Sequence, residues 1–332
     1  MKTFIIAEAG VNHNGDVALA KRLVDKALES GADAVKFQTW KTELLVSKDA
    51  LQAEYQAENT GKKESQFDML KRLELSYSDF SDLKEYCDNV GILFMSTPDE
   101  VESANFLKPL QNIFKIGSGE LTNTLLLQHI GGFKKKVILS TGMANLDEIK
   151  SALLALESGG MERINITLLH ATTMYPTLMH DVNLKAMQTI RDNFNVSVGY
   201  SDHTMGIEVP IAAVAMGASV IEKHFTISRD LDGPDHKASL EPDELKAMVS
   251  AIRNIEKAMG NGEKIAQSSE LKNKEVVRKS IIAIQVIKKG DIYTKHNIGT
   301  KRVGRGLCSS KWNNVVGLEA NQDYQIDEII WN

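Results

Sequence analysis

Short apolar runs alternate with longer amphipathic segments along most of this chain. In the longer segments, such as Val17–Ala27 and Pro242–Met259, apolar residues recur every three or four positions with charges between them, which is typical of helices. The apolar runs are strand candidates, at residues 3–8, 33–38, 92–97, 112–117, 136–141, 166–172, 196–201 and 220–226. Strands this apolar are typical of parallel sheets that are covered on both faces.

The alternation produces eight strand–helix units within about 260 residues, which predicts an α/β protein built as a (β/α)8 barrel. A doubly wound open sheet is the structural alternative. We favour the closed barrel because the units are regular and because no GxGxxG motif follows the first strand.

Two regions depart from the regular pattern. Residues 40–77, which include 53–56 and 59–61, form an insertion after the second strand and are predicted to lie over the barrel mouth, where active-site lids sit. Beyond residue 262 the chain changes to short β-like pieces with turns. The sequence therefore predicts a barrel domain at 1–262, a polar linker at 263–279 and a small β-rich domain at 280–332.

Composition narrows the function classes. A net charge of -5 gives no field that would attract nucleic acid or an anionic membrane. Cys87 and Cys308 are far apart, so neither a disulfide framework nor a cysteine-based zinc site is indicated. The N-terminal apolar run is too short for a signal peptide, and no segment approaches the ~20 apolar residues of a membrane span. We expect a cytoplasmic enzyme without nucleic-acid or membrane partners.

Polar residues follow nearly every predicted strand, and in a barrel these positions meet at one rim. Lys36 and Lys115 end the second and fourth strands, and four hydroxyl residues stand at neighbouring ends: Thr97, Ser118, Ser140 and Ser201. Two ammonium groups among short hydroxyl donors predict a phosphate site. The alternative is that each lysine pairs with a carboxylate such as Glu8 or Glu120.

Two histidines predict a metal site at the same rim. His203 and His224 lie one strand–helix unit apart, so a closed barrel puts them on adjacent strands with their imidazoles able to converge. With oxygen or water as the remaining ligands, manganese or magnesium suits the site better than a closed zinc site does. Glu222 either ligates the metal or pairs with a base such as Lys36. Asp235, in the turn after the last strand, is an acid–base candidate or a turn residue.

The strand-end segments resemble the bacterial sialic acid synthases, in order and over the whole chain. They are residues 8–15 (EAGVNHNG), 35–39 (VKFQT), 115–120 (KIGSGE), 139–143 (LSTGM), 200–204 (YSDHT), 222–226 (EKHFT) and 233–236 (GPDH). The C-terminal segment is similar to the antifreeze-like (SAF) domain of these enzymes. The resemblance implies a homodimer in which this domain is swapped over the barrel mouth of the partner subunit.

The resemblance also implies roles for individual residues. The phosphoenolpyruvate ligands would be Lys36, Thr97, Lys115, Ser118, Ser140 and Ser201, and the manganese ligands would be His203 and His224. Glu8, Gln38, Tyr175 and Asp235 would face an open-chain sugar, and Arg302 from the partner subunit would contact its acylamino group. Glu120 would orient or deprotonate a reacting group. The chain departs from the usual family pattern at Ala171, Thr173, Asp99 and Val303.

These roles imply a transferase that joins phosphoenolpyruvate to an unphosphorylated acylamino sugar. Chemically, the lysines offset charge and either Glu8 or Asp235 handles a proton. The substrate is N-acetylmannosamine or 2,4-diacetamido-2,4,6-trideoxymannose, which yield sialic or legionaminic acid, with the pseudaminic acid precursor as an alternative. A synthase for a phosphorylated aldose is disfavoured because no arginine stands at the rim of the barrel. A non-enzymatic binding protein is disfavoured because the charged strand ends are intact.

Overall fold

The computed structural model describes residues 2–53, 56, 57, 59, 61 and 64–331. It contains two compact units that divide between Gly260 and Asn261. In the described residues no helix is both long and apolar enough to cross a membrane.

The first unit is a barrel of eight parallel strands. They are β1 (Phe4–Gly10), β2 (Ala34–Thr39), β3 (Leu93–Pro98), β4 (Ile113–Ile116), β5 (Lys136–Ser140), β6 (Ile166–Ala171), β7 (Ser197–Asp202) and β8 (Val220–His224). The hydrogen-bonded order is β3-β2-β1-β8-β7-β6-β5-β4, with β3 and β4 in contact, so the sheet is nearly closed. The predicted (β/α)8 barrel is confirmed, and the open-sheet alternative is wrong.

The helices of this unit cover the outside of the barrel, apart from two in the insertion after β2. They are α1 (Val17–Glu29), α2 (Thr42–Leu45), α3 (Gln66–Leu73), α4 (Tyr77–Val90), α5 (Val101–Leu107), α6 (Thr124–Gly131), α7 (Leu146–Ser158), α8 (Lys185–Phe194), α9 (Glu208–Ala215) and α10 (Pro242–Ala258). Capping hydrogen bonds determine where a helix starts, as at the N-terminus of α7. The side chain of Asn145 accepts hydrogen bonds from the first amides of α7, while Glu148 bonds back to the Asn145 amide.

Gln111 closes the seam between β3 and β4. Its side-chain oxygen accepts from the Ser96 amide at 2.7 Å, and its nitrogen donates to the Ser96 carbonyl at 2.8 Å. This buried amide therefore satisfies the backbone groups that a neighbouring strand would otherwise pair with.

The predicted insertion after β2 contains α2 and α3, while residues 54, 55, 58, 60, 62 and 63 of it lie outside the described residues. Asn59 Nδ2 donates to the Pro234 carbonyl at 2.7 Å. Because Pro234 belongs to the loop after β8, this contact holds the insertion at the C-terminal end of the barrel.

The second unit is small and partly β-structured. It contains α11 (Ser268–Val277), β9 (Lys279–Ala283), β10 (Ile298–Arg302) and α12 (Trp312–Val315), and β9 pairs antiparallel with β10. Its own core includes Ile281, Ile298 and Tyr324. The segment predicted as a polar linker contains α11, all of whose residues are exposed.

Candidate active site

The interior of the barrel changes from apolar to polar along its axis. Alternate residues of a strand point to the same side, so the inward side chains form layers. The lower layer packs Ile6, Ala34, Met95, Ile138, Leu169 and Val220. Two residues further along, the inward positions are Glu8, Lys36, Thr97, Lys115, Ser140, Ser201 and Glu222, all buried. The buried charges therefore lie at the C-terminal ends of the strands.

A cavity of about 200 Å³ opens onto this polar layer. Its described lining is Glu8, Lys36, Gln38, Thr97, Asp99, Lys115, Gly117, Ser118, Gly119, Ser140, Thr173, Tyr175, Ser201, His203, Glu222 and His224. The cavity thus brings together every residue predicted to contact phosphoenolpyruvate and both predicted metal ligands. Glu120, Asp235 and Arg302 are outside the lining that the described residues form.

The two lysines pair with carboxylates, which was the alternative considered from the sequence. Lys36 Nζ lies 2.7 Å from Glu8 Oε2 and donates to Thr97 Oγ1 at 2.9 Å. Lys115 Nζ lies 3.2 Å from Glu222 Oε1 rather than pairing with Glu120. Because both pairs line a cavity, an incoming anion meets ammonium groups that are already positioned.

The surroundings of Glu8 and Glu222 shift the pKa values of these two carboxylic acids in opposite directions. Burial raises the pKa of Glu8 to about 7, against the opposing charge of Lys36. Burial would also raise the pKa of Glu222, but Lys115 and Lys36 outweigh it and bring the pKa down to about 2. Ser201 Oγ strengthens the ionised form of Glu222 by donating to it at 2.8 Å. Glu8 is therefore the better proton carrier, and Glu222 is a fixed anion.

Hydroxyl groups complete the anion-binding side of the cavity. The Ser140 hydroxyl is buried, and no described residue hydrogen-bonds it. Ser118 begins a short 3₁₀ turn after β4, and its Oγ accepts from the Gly142 amide at 3.0 Å. A Cβ on Gly142 would lie 2.6 Å from Thr173 Cγ2, so only glycine permits this close approach. A free buried hydroxyl and a turn of this kind suit a phosphate or carboxylate oxygen.

The two histidines lie side by side across β7 and β8. Their ring centroids are 5.5 Å apart, and the Tyr175 ring lies 4.1 Å from that of His203. His203 Nδ1 donates to the Thr172 carbonyl at 2.7 Å, an assignment that follows because a carbonyl only accepts. This bond leaves His203 Nε2 with its lone pair available, as a metal ligand requires.

The histidine pair suits a divalent cation whose coordination shell is completed by ligands from outside the chain. Burial lowers the pKa of His203 and of His224, so both rings are neutral near pH 7. His224 Nδ1 is buried without a hydrogen-bond partner among the described residues. No three His, Cys, Asp or Glu side chains gather into a metal site in that part of the chain. Two imidazoles therefore need water or substrate oxygens as further ligands.

The four remaining predicted residues lie in four different surroundings. Asp235 is buried with its Oδ2 at 4.0 Å from His224 Nδ1, and burial raises its pKa to about 6. Gln38 Nε2 donates to Glu8 Oε1 at 3.2 Å. Glu120 accepts from Asn123 Nδ2 at 2.5 Å, which binds it to its own loop. Arg302 ends β10 in the second unit, where it is exposed.

A buried network that sequence reasoning did not single out holds Asp235. Asn12 Nδ2 donates to the Phe225 carbonyl at 2.8 Å and to Ser239 Oγ at 2.9 Å. Ser239 Oγ in turn donates to the Asp235 carbonyl at 2.7 Å. The first and last strand–helix loops are thereby joined. The only signal in the sequence was the cluster of amide and imidazole residues after β1.

Comparisons with known proteins agree with this geometry. Residues 23–264 match the NeuB family. The N,N'-diacetyllegionaminic acid synthase of Campylobacter jejuni is 51% identical over 330 residues, which cover 99% of each chain. The chain belongs to the NeuB family. A second relative, the N,N'-diacetyllegionaminic acid synthase of Legionella pneumophila, is 48% identical over 96% of this chain and 90% of that protein.

A solved sialic acid synthetase structure shares the fold. The N-acetylneuraminic acid (sialic acid) synthetase of Leptospira borgpetersenii, crystallised with citrate, superposes with a TM-score of 0.71. It is 37% identical, over 83% of this chain and 91% of that one. The resemblance to sialic acid synthases and the prediction of a sugar-acid synthase are thereby confirmed. The binding protein without enzymatic activity is not supported.

Proposed function

We propose that this NeuB-family enzyme condenses phosphoenolpyruvate with 2,4-diacetamido-2,4,6-trideoxymannose, giving N,N'-diacetyllegionaminic acid and phosphate. The observation that carries the proposal is full-length similarity, at 51% and 48% identity, to two proteins named for that product. The cavity supports it with paired ammonium groups, free hydroxyls and two neutral imidazoles. N-acetylmannosamine, which would give sialic acid, is the second candidate substrate.

Phosphoenolpyruvate would bind at the lysine side of the cavity. Lys36 and Lys115 would contact its anionic oxygens, helped by the hydroxyls of Thr97, Ser118, Ser140 and Ser201. In the free enzyme the lysines face Glu8 and Glu222, so substrate binding replaces an internal partner rather than exposing a bare charge. Uptake of a proton by Glu8, whose pKa is about 7, would reduce repulsion with the substrate.

His203 and His224 would hold the divalent metal, for which manganese is the first candidate and magnesium or cobalt are alternatives. When bound there, such an ion supplies Lewis-acid polarisation of the sugar aldehyde. The chain's contribution is to keep both imidazoles neutral and to fix the orientation of His203 through the Thr172 carbonyl.

The proposed reaction forms one C–C bond, forms one C–O bond from C2 to water, and breaks the C–O bond from C2 to phosphate. C3 of phosphoenolpyruvate attacks the aldehyde carbon, whose oxygen becomes an alkoxide and takes a proton. Water adds at C2 and loses one proton. The C–O bond to phosphate then breaks, and the new C2 hydroxyl passes its proton to the departing phosphate, which leaves the 2-keto acid. Glu8 and Asp235, with pKa values raised to about 7 and about 6, are suited to the first two of these proton transfers.

The sugar would occupy the opposite side of the cavity, near Gln38, Tyr175 and Asp235. Arg302 of the partner subunit would contact its acylamino group if the second unit is exchanged in a homodimer. Glu120 would orient a reacting group from the loop after β4. We place the reaction in the cytoplasm, where phosphoenolpyruvate and activated sugars are made.

A competing function is condensation with a phosphorylated aldose. That substrate requires a second phosphate site, and no arginine belongs to the described lining of the cavity. The observation therefore favours a sugar without phosphate.

The test is phosphate release from phosphoenolpyruvate and manganese with each candidate sugar in turn. The candidates are the 2,4-diacetamido sugar, N-acetylmannosamine, the pseudaminic acid precursor and a phosphorylated aldose. We expect the highest kcat/KM with the 2,4-diacetamido sugar. A higher value with any of the other three would overturn the substrate assignment, and no release with any of them would overturn the proposed function.

A further inference from the structure

Asp99 is a cavity-lining carboxyl that the proposed reaction does not use. It follows Pro98 at the end of β3, and its backbone amide donates to the Thr39 carbonyl at 3.1 Å. The backbone is therefore fixed against β2. Two residues earlier, Thr97 faces the same cavity and accepts from Lys36. Asp99 thus stands one layer above the predicted phosphate ligands, on the side of the mouth.

The charges of the polar layer are already balanced without Asp99. Lys36 pairs with Glu8, and Lys115 pairs with Glu222. An additional carboxylate next to a site for a highly charged anion would repel that anion. A carboxyl group at this position therefore helps substrate binding only in its neutral form, which carries a hydrogen-bond donor.

The surroundings of Asp99 favour this neutral form. Burial raises its pKa to about 8, and the charge of Glu120 adds to the effect. Lys36 on β2 opposes the shift, whereas Glu8 on β1 and Glu100 in the same loop support it. Lys115 on β4 also lines the cavity. No described residue contributes a hydrogen bond to the carboxyl, so its donor is left for a ligand.

We propose that the Asp99 carboxyl is a further contact of phosphoenolpyruvate and donates a hydrogen bond to an anionic oxygen of that substrate. The inference rests on the proposed function, because it requires phosphoenolpyruvate to occupy the lysine side of the cavity. Its consequence is that binding is linked to a proton held by Asp99. Deprotonation at alkaline pH converts a donor into a repelling charge and weakens binding.

The test compares Asp99→Asn and Asp99→Ala with the parent enzyme, using the full-length chain supplied with manganese. Asparagine keeps a neutral donor of the same shape, whereas alanine removes it. Deprotonation of Glu8 should raise the Kd for phosphoenolpyruvate above about pH 7 in all three proteins. In the parent we expect an additional rise above about pH 8 from Asp99, approaching a further tenfold per pH unit. In Asp99→Asn the additional rise from Asp99 should be absent and only the rise from Glu8 should remain, with a Kd near the parent value at pH 7. In Asp99→Ala the Kd at pH 7 should increase roughly tenfold to a hundredfold.

Two further measurements keep the outcome specific. Glu102→Gln removes an exposed carboxylate of the same segment, on α5 and outside the described lining, and should leave the Kd and its pH dependence unchanged. Calorimetry at pH 8.5 in two buffers of different ionisation enthalpy should show more proton uptake by the parent than by Asp99→Asn. Other acids such as Glu8 are common to both proteins and cancel in this difference.

The inference is overturned if Asp99→Asn keeps the parent's additional alkaline rise, or if Asp99→Ala changes only the KM of the sugar. Normal thermal unfolding of both variants excludes loss of fold as the cause. Because binding is measured without sugar, this result is separate from the proposed function. A parent enzyme that binds no phosphoenolpyruvate contradicts the function itself, whereas binding that is insensitive to Asp99 contradicts only the inference.

Discussion

Two groups of buried lysines and carboxylates lie on opposite faces of the barrel sheet and meet at β8, but they differ in kind. On the outer face, Lys223 Nζ lies 2.5 Å from Asp202 Oδ2, and both side chains are fully buried. On the inner face, Glu222, which directly precedes Lys223 in sequence, pairs with Lys115. The outer pair is enclosed under the helices, whereas the inner group lines the cavity.

The outer pair is saturated with protein contacts. Asp202 accepts from the Thr204 amide at 3.1 Å and from its hydroxyl at 3.0 Å, and Lys223 also donates to the Thr204 carbonyl. These bonds fix the turn that carries His203. The inner group instead leaves Ser140 Oγ and His224 Nδ1 without partners among the described residues. The contrast indicates that buried charged groups whose hydrogen bonds are all made within the protein support the structure. Buried polar groups that lack such partners are available to bind a ligand.

The largest expected effect is the loss of activity on changing the inner group. Lys115→Met removes a positioned ammonium group, and we expect kcat/KM for phosphoenolpyruvate to fall by about 100-fold to 1,000-fold. The free energy of unfolding should change by less than about 1 kcal/mol, because Glu222 keeps Ser201 and water can enter the cavity. Steady-state kinetics and urea unfolding measure the two quantities. A large stability loss with intact kcat/KM would reverse the assignment of the two groups.

Changes to the outer pair, Asp202 and Lys223, should lower the free energy of unfolding rather than the activity. Lys223→Met leaves the fully buried Asp202 carboxylate uncompensated, and we expect the free energy of unfolding to fall by about 3–5 kcal/mol. The double variant Asp202→Asn/Lys223→Met removes both charges and should recover most of that loss. Urea unfolding of the single and double variants checks this. Equal stability of the two would mean that Asp202 and Lys223 are not coupled.

Opposite pH dependences should separate the two acids of the inner group. The folded pKa of Glu8 is raised from 4.5 to about 7, so its contribution to stability is present below pH 4.5 and is lost as pH rises through 7. The folded pKa of Glu222 is lowered to about 2, so its contribution is present above pH 4.5 and is lost as pH falls towards 2. At pH 8, Glu8→Gln should therefore stabilise the fold by about 1–3 kcal/mol and Glu222→Gln should destabilise it.

The measurement is the free energy of unfolding of both variants at pH 5 and pH 8. The advantage of Glu8→Gln should shrink at the lower pH, where the parent carboxyl is neutral. Loss of turnover in Glu8→Gln together with a gain in stability would be typical of a functional acid held in an unfavourable environment. A destabilised Glu8→Gln at pH 8 would place Glu8 with the structural pair instead.

The smallest effect on activity is expected where β3 meets β4, because the uncharged Gln111 side chain makes all its described hydrogen bonds to Ser96. Gln111→Leu removes the two hydrogen bonds to Ser96 and leaves buried backbone groups unpaired, so we expect a loss of about 1–3 kcal/mol. kcat/KM should stay near the parent value. A strong loss of kcat/KM with an unchanged free energy of unfolding would show that a side chain with all its hydrogen bonds inside the protein need not have a structural role.

Sequence reasoning predicted the barrel because each strand is marked by a local pattern of apolar residues. Each strand is a continuous apolar run, so the eight runs were visible without knowing which strands are neighbours. The convergence of His203 and His224 followed because consecutive strands of a barrel are adjacent. Helix α11 was missed because none of its residues is buried, so no apolar periodicity marks it. Its capping contacts between Gln267 and Glu270 are too common a pattern to predict a helix alone.

The partners of the lysines could not be chosen from the sequence. Lys115 and Glu222 are on strands β4 and β8, and only the curvature and depth of the closed barrel bring them to 3.2 Å. The same holds for Gln111, whose role exists only because β3 and β4 meet without a regular ladder. Asp99 entered only as a departure from the family pattern. Its unpartnered position on the cavity wall depends on side-chain geometry that spacing does not reveal.

The most direct test of the account is the Kd for phosphoenolpyruvate, measured by calorimetry with manganese present. The proteins to compare are the parent, Lys115→Met and the double variant Asp202→Asn/Lys223→Met. We predict that the parent and the double variant bind with similar Kd values and that Lys115→Met binds at least 100-fold more weakly. Normal binding by Lys115→Met, or an equal loss in the double variant, would contradict the claim that the inner group holds the substrate.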